Sequence, residues 1–205
     1  MLILPRGYLS PSQVEMYETD RPKYIRKYIL EQDISFSSKY TEYGNKFGSA
    51  METDEETDDE LINLAMDMVP KYTYREKVLE TMVETKDGWF IMMGKLDTFE
   101  EEPLMMREYK TGGPKWTQAR VDKSNQVIHY ISLIYLIYKR LPEKAHLDWL
   151  QTHLVNGEVK LNGNYEEFTI KKNLSDVLVY LAKATKIAKE IDKLCRDHLS
   201  GKKII

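Results

Sequence analysis

The stretch that decides the fold is GKLDTFEEEPLMMREYKTGG, which runs from Gly94 to Gly113. Asp97 lies in a first apolar run, and Glu108 and Lys110 lie in a second run with one residue between them. Because side chains alternate across a strand, Glu108 and Lys110 point to one face and Tyr109 points to the other. If the two runs pair as a hairpin, Asp97 lies beside Glu108.

These charged side chains allow two interpretations. An exposed strand with solvated charges produces the same spacing. Alternatively, the two carboxylates, which repel each other unless a cation bridges them, hold a hard divalent ion. The Lys110 ammonium then holds a water or stabilises negative charge that develops on phosphorus. The apolar neighbours Leu96 and Met106 predict a central strand, where unpaired charges are costly, and so favour the metal site.

The N-terminal segments predict two helices. Ser10 and Pro11 are typical of a helix start, and that helix is expected to break near Pro22. A second helix is predicted from about Tyr43 through Met68, including the acidic run METDEETDDE.

Strands dominate from Tyr72 onward. TYREKVLETMVE and WFIMMGKLDTFE predict two strands joined by a turn at Asp87-Gly88, and LMMREYKT predicts a third. A helix in SNQVIHYISLIYLIYKRL ends before Pro142, and two further strands meet at either NGE or NGN. The last helix is predicted to have Ser175 as its cap and to stop at Gly201.

This order of elements predicts an α/β fold with a central mixed sheet flanked by helices. No repeat or low-complexity linker interrupts the chain, so a single domain is expected. Its predicted parts are a helical N-terminal part (1–70), a catalytic sheet with an inserted helix (71–172) and a C-terminal helix (173–201).

Composition narrows the class of protein. No apolar run approaches the ~18 residues of a membrane span, and the short apolar N-terminus, interrupted by Pro5, does not resemble a signal peptide. We therefore expect a cytoplasmic protein with no membrane partner. The net charge of −3 hides an asymmetry, since residues 1–70 carry 7 Lys/Arg against 14 Asp/Glu and residues 71–205 carry 23 against 19. The C-terminal lysines are either a solvated helix face or a locally basic surface.

Two polar side chains follow on the helix after the EYK strand. Gln126 and Tyr130 lie one turn apart on the same helix face. Directed at a metal site, they can orient a phosphate or support Lys110. Trp116, in the loop before this helix, either stacks on an unpaired base or packs against the core.

Three motifs together resemble those of a known superfamily. They are G-x-L-D at Gly94–Asp97, E-Y-K-T at Glu108–Thr111 and Q-x-x-x-Y at Gln126–Tyr130. They resemble the PD-(D/E)XK nuclease superfamily, and in particular its RecB-like branch, which includes CRISPR-adaptation nucleases and phage recombination exonucleases. LSPSQVEMYETDRPKYIRKY resembles the opening helix of that branch, and FGSAME resembles its Gly-Thr-x-x-His segment. The resemblance implies a restriction-endonuclease-like core.

The resemblance also implies roles for individual residues. Asp97 and Glu108 bind Mg²⁺ or Mn²⁺, with the Tyr109 carbonyl as a third ligand, and Lys110 positions the nucleophilic water. Gln126 and Tyr130 belong to the catalytic set and order the site. The residues expected to bind substrate are Gln126, Tyr130, Thr111 and Trp116.

The sequence departs from the branch at two points. Glu52 stands where the branch has its histidine, and a carboxylate there can bind the metal, although a shift of one residue puts Met51 in that position. Many relatives carry an iron–sulfur cluster, but this chain has Arg21-Pro22 at the Cys-Pro position and a single cysteine, Cys195. No iron–sulfur cluster is therefore expected.

The implied activity is that of a metal-dependent DNA nuclease that hydrolyses phosphodiester bonds with a metal-activated water. An exonuclease of recombination, repair or phage DNA processing is expected, in a bacterial or phage-infected cell. DNA is the expected partner, with a helicase, a single-strand annealing protein or an integrase as a protein partner. The alternative is a catalytically silent PD-(D/E)XK fold that acts as a DNA-binding or assembly module.

Overall fold

The computed structural model describes residues 1–34 and 37–204. Within them the fold is α/β, with a mixed central sheet of six strands flanked by helices, consistent with the predicted restriction-endonuclease-like core. The strands are β1 (Tyr8–Leu9), β2 (Tyr74–Thr85), β3 (Gly88–Glu100), β4 (Met105–Gly112), β5 (Lys144–Val155) and β6 (Glu158–Thr169). The helices are α1 (Pro11–Thr19), α2 (Arg21–Tyr24), α3 (Lys39–Thr53), α4 (Glu60–Met68), α5 (Gln118–Asp122), α6 (Asn125–Tyr138) and α7 (Leu174–Leu199).

Strand β3 organises the sheet. On one edge it pairs with antiparallel β2 from the hairpin turn to Phe99. On its other edge, parallel β1 pairs at Ile91 and Met92, and antiparallel β4 pairs only with Thr98–Glu100. Strand β4 continues the sheet through parallel β5, and β5 pairs with antiparallel β6. Beyond the Thr98–Arg107 pair, the described ladder between β3 and β4 stops, and we call this opening the fork.

Helices cover the two faces of the sheet with separate apolar clusters. On one face, α1, α6 and α7 pack on residues such as Leu96 and Met106, which are fully buried. On the other face, α3 and α4 pack on Tyr109 and Leu161. The fork lies between these layers, because Glu108 contacts α6 while its neighbour Tyr109 packs against α3.

The predicted strands are confirmed, and one open alternative is resolved. The predicted turn at Asp87-Gly88 is displaced by one residue, because Thr85 pairs with Gly88: the turn consists of Lys86 and Asp87, and Gly88 opens β3 at a φ of 133°. Strands β5 and β6 meet at Asn156-Gly157, the NGE alternative, and both residues have positive φ as tight hairpin turns require. The short elements β1 and α5 were not predicted.

The predicted continuous helix from Tyr43 to Met68 is wrong. Helix α3 ends at Thr53, Asp54 adopts a left-handed conformation with a φ of 61°, and α4 begins after Asp59. The Asp59 carboxylate accepts a hydrogen bond from the Leu61 N–H and so caps α4. Aspartate is unfavourable inside helices and favourable at their N-termini, so the acidic run forms a connection rather than a helix face.

The predicted cap of the last helix is also wrong. Asn173, not Ser175, caps α7, because the Asn173 side chain accepts from the Asp176 N–H and the Asp176 carboxylate accepts from the Asn173 N–H. This reciprocal pair satisfies two helix-end donors at once, which a serine inside the first turn cannot do. No helix in the described part of the chain is long and apolar enough to cross a membrane.

Gly94 permits the contact between β3 and α6. A Cβ at this position would lie 2.7 Å from the Tyr130 ring and 2.9 Å from Leu133. We expect Gly94→Ala to lower the free energy of unfolding by about 1–3 kcal/mol, because overpacking forces a buried ring to shift. Chemical denaturation measures this change.

Gly48→Ala is the matched control, since a Cβ there meets nothing within 4 Å and the residue is inside α3. This variant should be neutral or up to about 1 kcal/mol more stable, because alanine favours a helix interior. Equal stability of the two variants would contradict the packing role of Gly94.

Candidate active site

Asp97 lies where β3 and β4 separate, and its side chain bridges the gap between them. Its Oδ2 accepts a hydrogen bond of 2.6 Å from the Tyr109 N–H, a donor that a continued ladder would have used. A carboxylate therefore replaces a strand carbonyl between β3 and β4. This bond brings Asp97 to Glu108, the neighbour of Tyr109, as the hairpin pairing predicts.

Glu108 is buried in the fork with an incomplete set of partners. Its side chain is 1% exposed, and its Oε1 accepts from Lys110 Nζ at 2.5 Å and from Gln126 Nε2 at 2.6 Å. Its Oε2 is buried without an ordinary hydrogen-bond donor. The two carboxyl groups of Glu108 and Asp97 are also close enough to share a hydrogen bond, which requires a proton on one of them.

Burial and mutual repulsion shift the acidity of this pair. Burial, followed by the charge of Asp97, raises the pKa of Glu108 to about 8. Burial also raises the pKa of Asp97, although Lys110 opposes the shift. The pair therefore retains a proton near neutral pH where ordinary carboxyl groups are ionised.

Lys110 is the cation of the site. Burial disfavours its charge, but Glu108 and Asp97 outweigh burial and raise the pKa of the ammonium. Lys110 is therefore protonated near neutral pH and acts as a hydrogen-bond donor and positive charge rather than as a base.

The structure brings Gln126 and Tyr130 to the same point from α6. The Gln126 amide donates to Glu108 and also to the Tyr130 hydroxyl, at 2.9 Å. Tyr130 is 4% exposed, and its ring packs where Gly94 leaves room. The helix spacing of four residues thus produces a connected chain from phenol to amide to carboxylate.

The candidate site opens into a cavity of about 780 Å³ between β4, α3 and α6. Glu52, Met51 and Thr111 all line it, although Met51 is also 3% exposed in the cluster under α3. The alternative between Glu52 and Met51 therefore stays open. Glu52 is exposed at the cavity wall, and its role as a metal ligand stays a prediction.

Two predicted site residues have other contacts as well. The Tyr109 ring points away from the fork, packs against Phe47 and donates its hydroxyl to the Pro70 carbonyl at 2.8 Å. Trp116 is half-buried against the main core, and the Arg120 guanidinium lies 3.9 Å from its ring centroid. Arg120 therefore covers one face of the ring, which leaves at most the other face for a base.

The residues of the fork fit a hard divalent cation in charge and donor type. Asp97 and Glu108 offer carboxylate oxygens at the cavity wall, and no lysine, amide or backbone N–H of the residues that the structure describes donates to the Glu108 Oε2. Carboxylate oxygen is the donor that Mg²⁺ and Mn²⁺ prefer. Among the described residues, no three His, Cys, Asp or Glu side chains are grouped closely enough to hold an ion as they stand.

Sequence reasoning missed Glu76, which lines the same cavity from β2. Lys95 of β3 forms an ion pair with it. Glu76 has a φ of 52°, a left-handed conformation inside a strand. The regular strand pattern of TYREKVLE contains no sign of this conformation.

Comparison with known proteins leaves the family open. No model of a known protein family matches the chain, and no curated protein matches it. The crystal structure of SSO0001 is similar with a TM-score of 0.46 and 13% identity, over 90% of this chain and 77% of that one. The crystal structure of Candida albicans Rai1 in complex with pU5-Mn²⁺ is similar with a TM-score of 0.31 and 9% identity, over 87% of this chain and 51% of Rai1.

These two likenesses are too distant to carry an argument about activity. Membership in the PD-(D/E)XK superfamily therefore stays a prediction. The contacts and charges of the fork residues are what indicate a function.

The raised pKa of Glu108 predicts how stability depends on pH in chelator. Unfolded Glu108 releases its proton near 4.5, whereas folded Glu108 keeps it to about 8. Between these values the folded state binds more protons, so the free energy of unfolding falls as pH rises. From about pH 5 to about pH 8, wild type should lose at least about 1 kcal/mol relative to Glu108→Gln.

Denaturation curves at several pH values measure this difference. Glu80→Gln, at an exposed position of β2, is the control and should keep the wild-type slope. If wild type and Glu108→Gln have parallel pH profiles, Glu108 does not hold the proton.

Proposed function

We propose that this chain is a metal-dependent nuclease that hydrolyses phosphodiester bonds. The observation that carries the proposal is the fork, where a buried and a half-buried carboxyl group, a bound ammonium and a glutamine–tyrosine pair meet at one cavity wall. Such a concentration of buried charge is expensive for a structural role. Titratable groups with strongly shifted pKa values in a cavity are typical of functional sites.

Each side chain has a role that its contacts support. Asp97 and Glu108 would hold Mg²⁺ or Mn²⁺, with the Tyr109 carbonyl and Glu52 as further candidate ligands. When bound, such an ion polarises the phosphate and lowers the pKa of a bound water. Lys110 holds a water and stabilises negative charge on the phosphate oxygens. Gln126 fixes the orientation of Glu108, and Tyr130 fixes Gln126.

A second cavity favours a polymeric, negatively charged substrate. It has a volume of about 730 Å³ and shares Lys110 and Gln126 with the first. Arg120 and Lys123 line it beside Trp116. A nucleic-acid strand whose cleaved phosphate lies at Lys110 would follow a basic path along this wall. Such a path suits nucleic acid because each nucleotide adds a phosphate. Thr111 and Trp116 are proposed substrate contacts on either side of this path.

DNA is the proposed substrate, and an exonuclease of recombination, repair or phage DNA processing is the proposed type. Linear single-stranded, linear duplex and circular DNA, each with Mg²⁺, Mn²⁺ or chelator, distinguish the possibilities. Loss of circular DNA identifies an endonuclease, and loss of linear DNA alone identifies an exonuclease. DNA binding without cleavage in either metal supports the alternative, a catalytically silent binding module.

The catalytic proposal predicts the effect of two substitutions. Lys110→Ala and Asp97→Asn should each lower cleavage by about 100-fold or more, because the first removes the positive charge that acts on the reacting phosphate and the second weakens a metal ligand. The amide that Asp97→Asn introduces still has an oxygen to accept from the Tyr109 N–H, so the fork and the fold should persist.

Initial rates with labelled linear DNA measure the loss, and circular dichroism tests the fold. Lys86→Ala, at the exposed β2–β3 turn, is the control and should cleave at the wild-type rate. Wild-type activity of Lys110→Ala would exclude the proposed mechanism.

The basic path predicts a salt-dependent change in affinity. Lys123→Ala should weaken DNA binding and reduce the slope of log affinity against log salt by about 0.7–0.9, the contribution of one phosphate contact. Filter binding in chelator, which prevents cleavage, measures both quantities. Lys86→Ala should leave the slope unchanged, and an unchanged slope for Lys123→Ala would contradict the proposed path.

A further inference from the structure

The backbone at Glu76 departs from the conformation of a regular strand. The β2–β3 ladder has one register throughout, with Arg75 facing Thr98 and Lys77 facing Leu96. This register places Glu76 directly across from Asp97, but the pair is absent from the ladder. Glu76 has a φ of 52° there, a left-handed conformation that strains an L-residue with a long side chain.

The position of Glu76 adds a third carboxylate to the fork. Like charges directly opposite each other on antiparallel strands are destabilising. Glu76 nevertheless lines the cavity that also contains Asp97 and Glu108. A strained residue and an unfavourable charge at the same point indicate a functional constraint.

The carboxylate oxygens at this cavity differ in their partners. Oε2 of Glu108, on a side chain 1% exposed, is buried without a hydrogen-bond donor, whereas Oε2 of Glu76, on a side chain 17% exposed, is paired with the Lys95 ammonium. Leaving a buried acceptor without a donor is costly. A cation at Glu108 would remove this deficit.

The cation at Glu76 in this structure is the ammonium of Lys95. That side chain is 54% exposed, so its charge can return to water at little cost. Glu76 is therefore held by a partner that a divalent ion can replace. Among the described residues, no three His, Cys, Asp or Glu side chains form a group that could hold an ion as they stand, so Glu76 has to leave Lys95 to join the other two carboxylates.

We propose that Glu76 is a ligand of the divalent cation held by Asp97 and Glu108, and that it leaves Lys95 when the ion binds. The inference rests on the proposed function, in that it needs the ion at Asp97 and Glu108. The proposed ligands are all carboxylate oxygens. Glu76 and Asp97 occupy facing positions of the β2–β3 hairpin, and β4 contributes Glu108.

Titration of the full chain with Mn²⁺, followed by calorimetry, tests the proposal without cleavage. Glu76→Gln should weaken Mn²⁺ binding by about 10-fold or more. Glu80→Gln removes the same charge from an exposed position on the same strand and should bind like wild type. If wild type binds and Glu76→Gln binds equally well, the inference is wrong and the proposed nuclease site stands. If wild type itself binds no Mn²⁺, both fall.

A spectroscopic measurement separates ligation from a general effect of charge. Loss of one protein ligand opens a position for water, so the water-proton relaxation caused by bound Mn²⁺ should rise in Glu76→Gln at saturation. A charge effect alone weakens binding without adding a water. Unchanged relaxation at saturation would overturn the proposal.

Lys95 supplies a test that misfolding cannot imitate. Lys95→Gln frees Glu76, so it should tighten Mn²⁺ binding by several-fold. The same substitution should have a smaller effect in the Glu76→Gln background, because the competing pair no longer exists. Equal effects in the two backgrounds would show that Lys95 acts only through the local field and would overturn the exchange.

Discussion

The hydrogen bond from the Tyr109 N–H to the Asp97 carboxylate is the interaction on which the rest of the site depends. A backbone donor in a sheet normally pairs with a carbonyl of the next strand, and a buried donor without a partner is costly. Here a side chain supplies the acceptor, so β3 and β4 can separate without an orphaned N–H. The separation creates room for Glu108 and Lys110 between sheet and helix. The fork is therefore a property of the whole sheet rather than of one loop, and its side chains are held by strands on both sides.

The fork places opposing electrostatic demands on the same few atoms. The carboxyl groups of Asp97 and Glu108 repel each other, and the protein reduces this repulsion with Lys110 and with a retained proton. A divalent cation would satisfy the same oxygens with more charge and would displace the proton, so metal binding and proton release are linked at this site. A site that binds a proton when no metal is present keeps its shape without the metal. It thereby avoids the cost of organising two like charges at the moment of binding.

The sequence specified the parts of the site that follow from local periodicity. The two-residue repeat of a strand places Glu108 and Lys110 on one face, and the spacing of four in a helix aligns Gln126 with Tyr130. The sequence did not predict features that depend on backbone conformation or tertiary partners, namely the break in the acidic run, the cap at Asn173 and the left-handed conformation of Glu76. The position of Glu76 across from Asp97, in contrast, can be found by counting residues along the two strands. Once the turn is fixed at Lys86 and Asp87, an unbroken register pairs position 76 with position 97, so a facing carboxylate pair follows from the turn alone.

Net charge is a poor guide to what this protein binds, because its acidic residues are unevenly distributed and several are paired with lysines. The acidic run contributes most to the negative N-terminal part, but three of its seven carboxylates are paired: Asp54 with Lys71, Asp58 with Lys46, and Asp59 with Lys160 at 3.1 Å. These pairs fix the connection between α3 and α4 and reduce its field at a distance. Of the acids of the fork, Glu108 is buried and Asp97 half-buried, and the neighbouring cavity wall carries Arg120 and Lys123 beside Glu15. A polyanion approaching this wall would meet two basic side chains and one carboxylate before it reaches the fork. The local arrangement of charge, rather than its sum, would permit an acidic chain to act on nucleic acid as we propose.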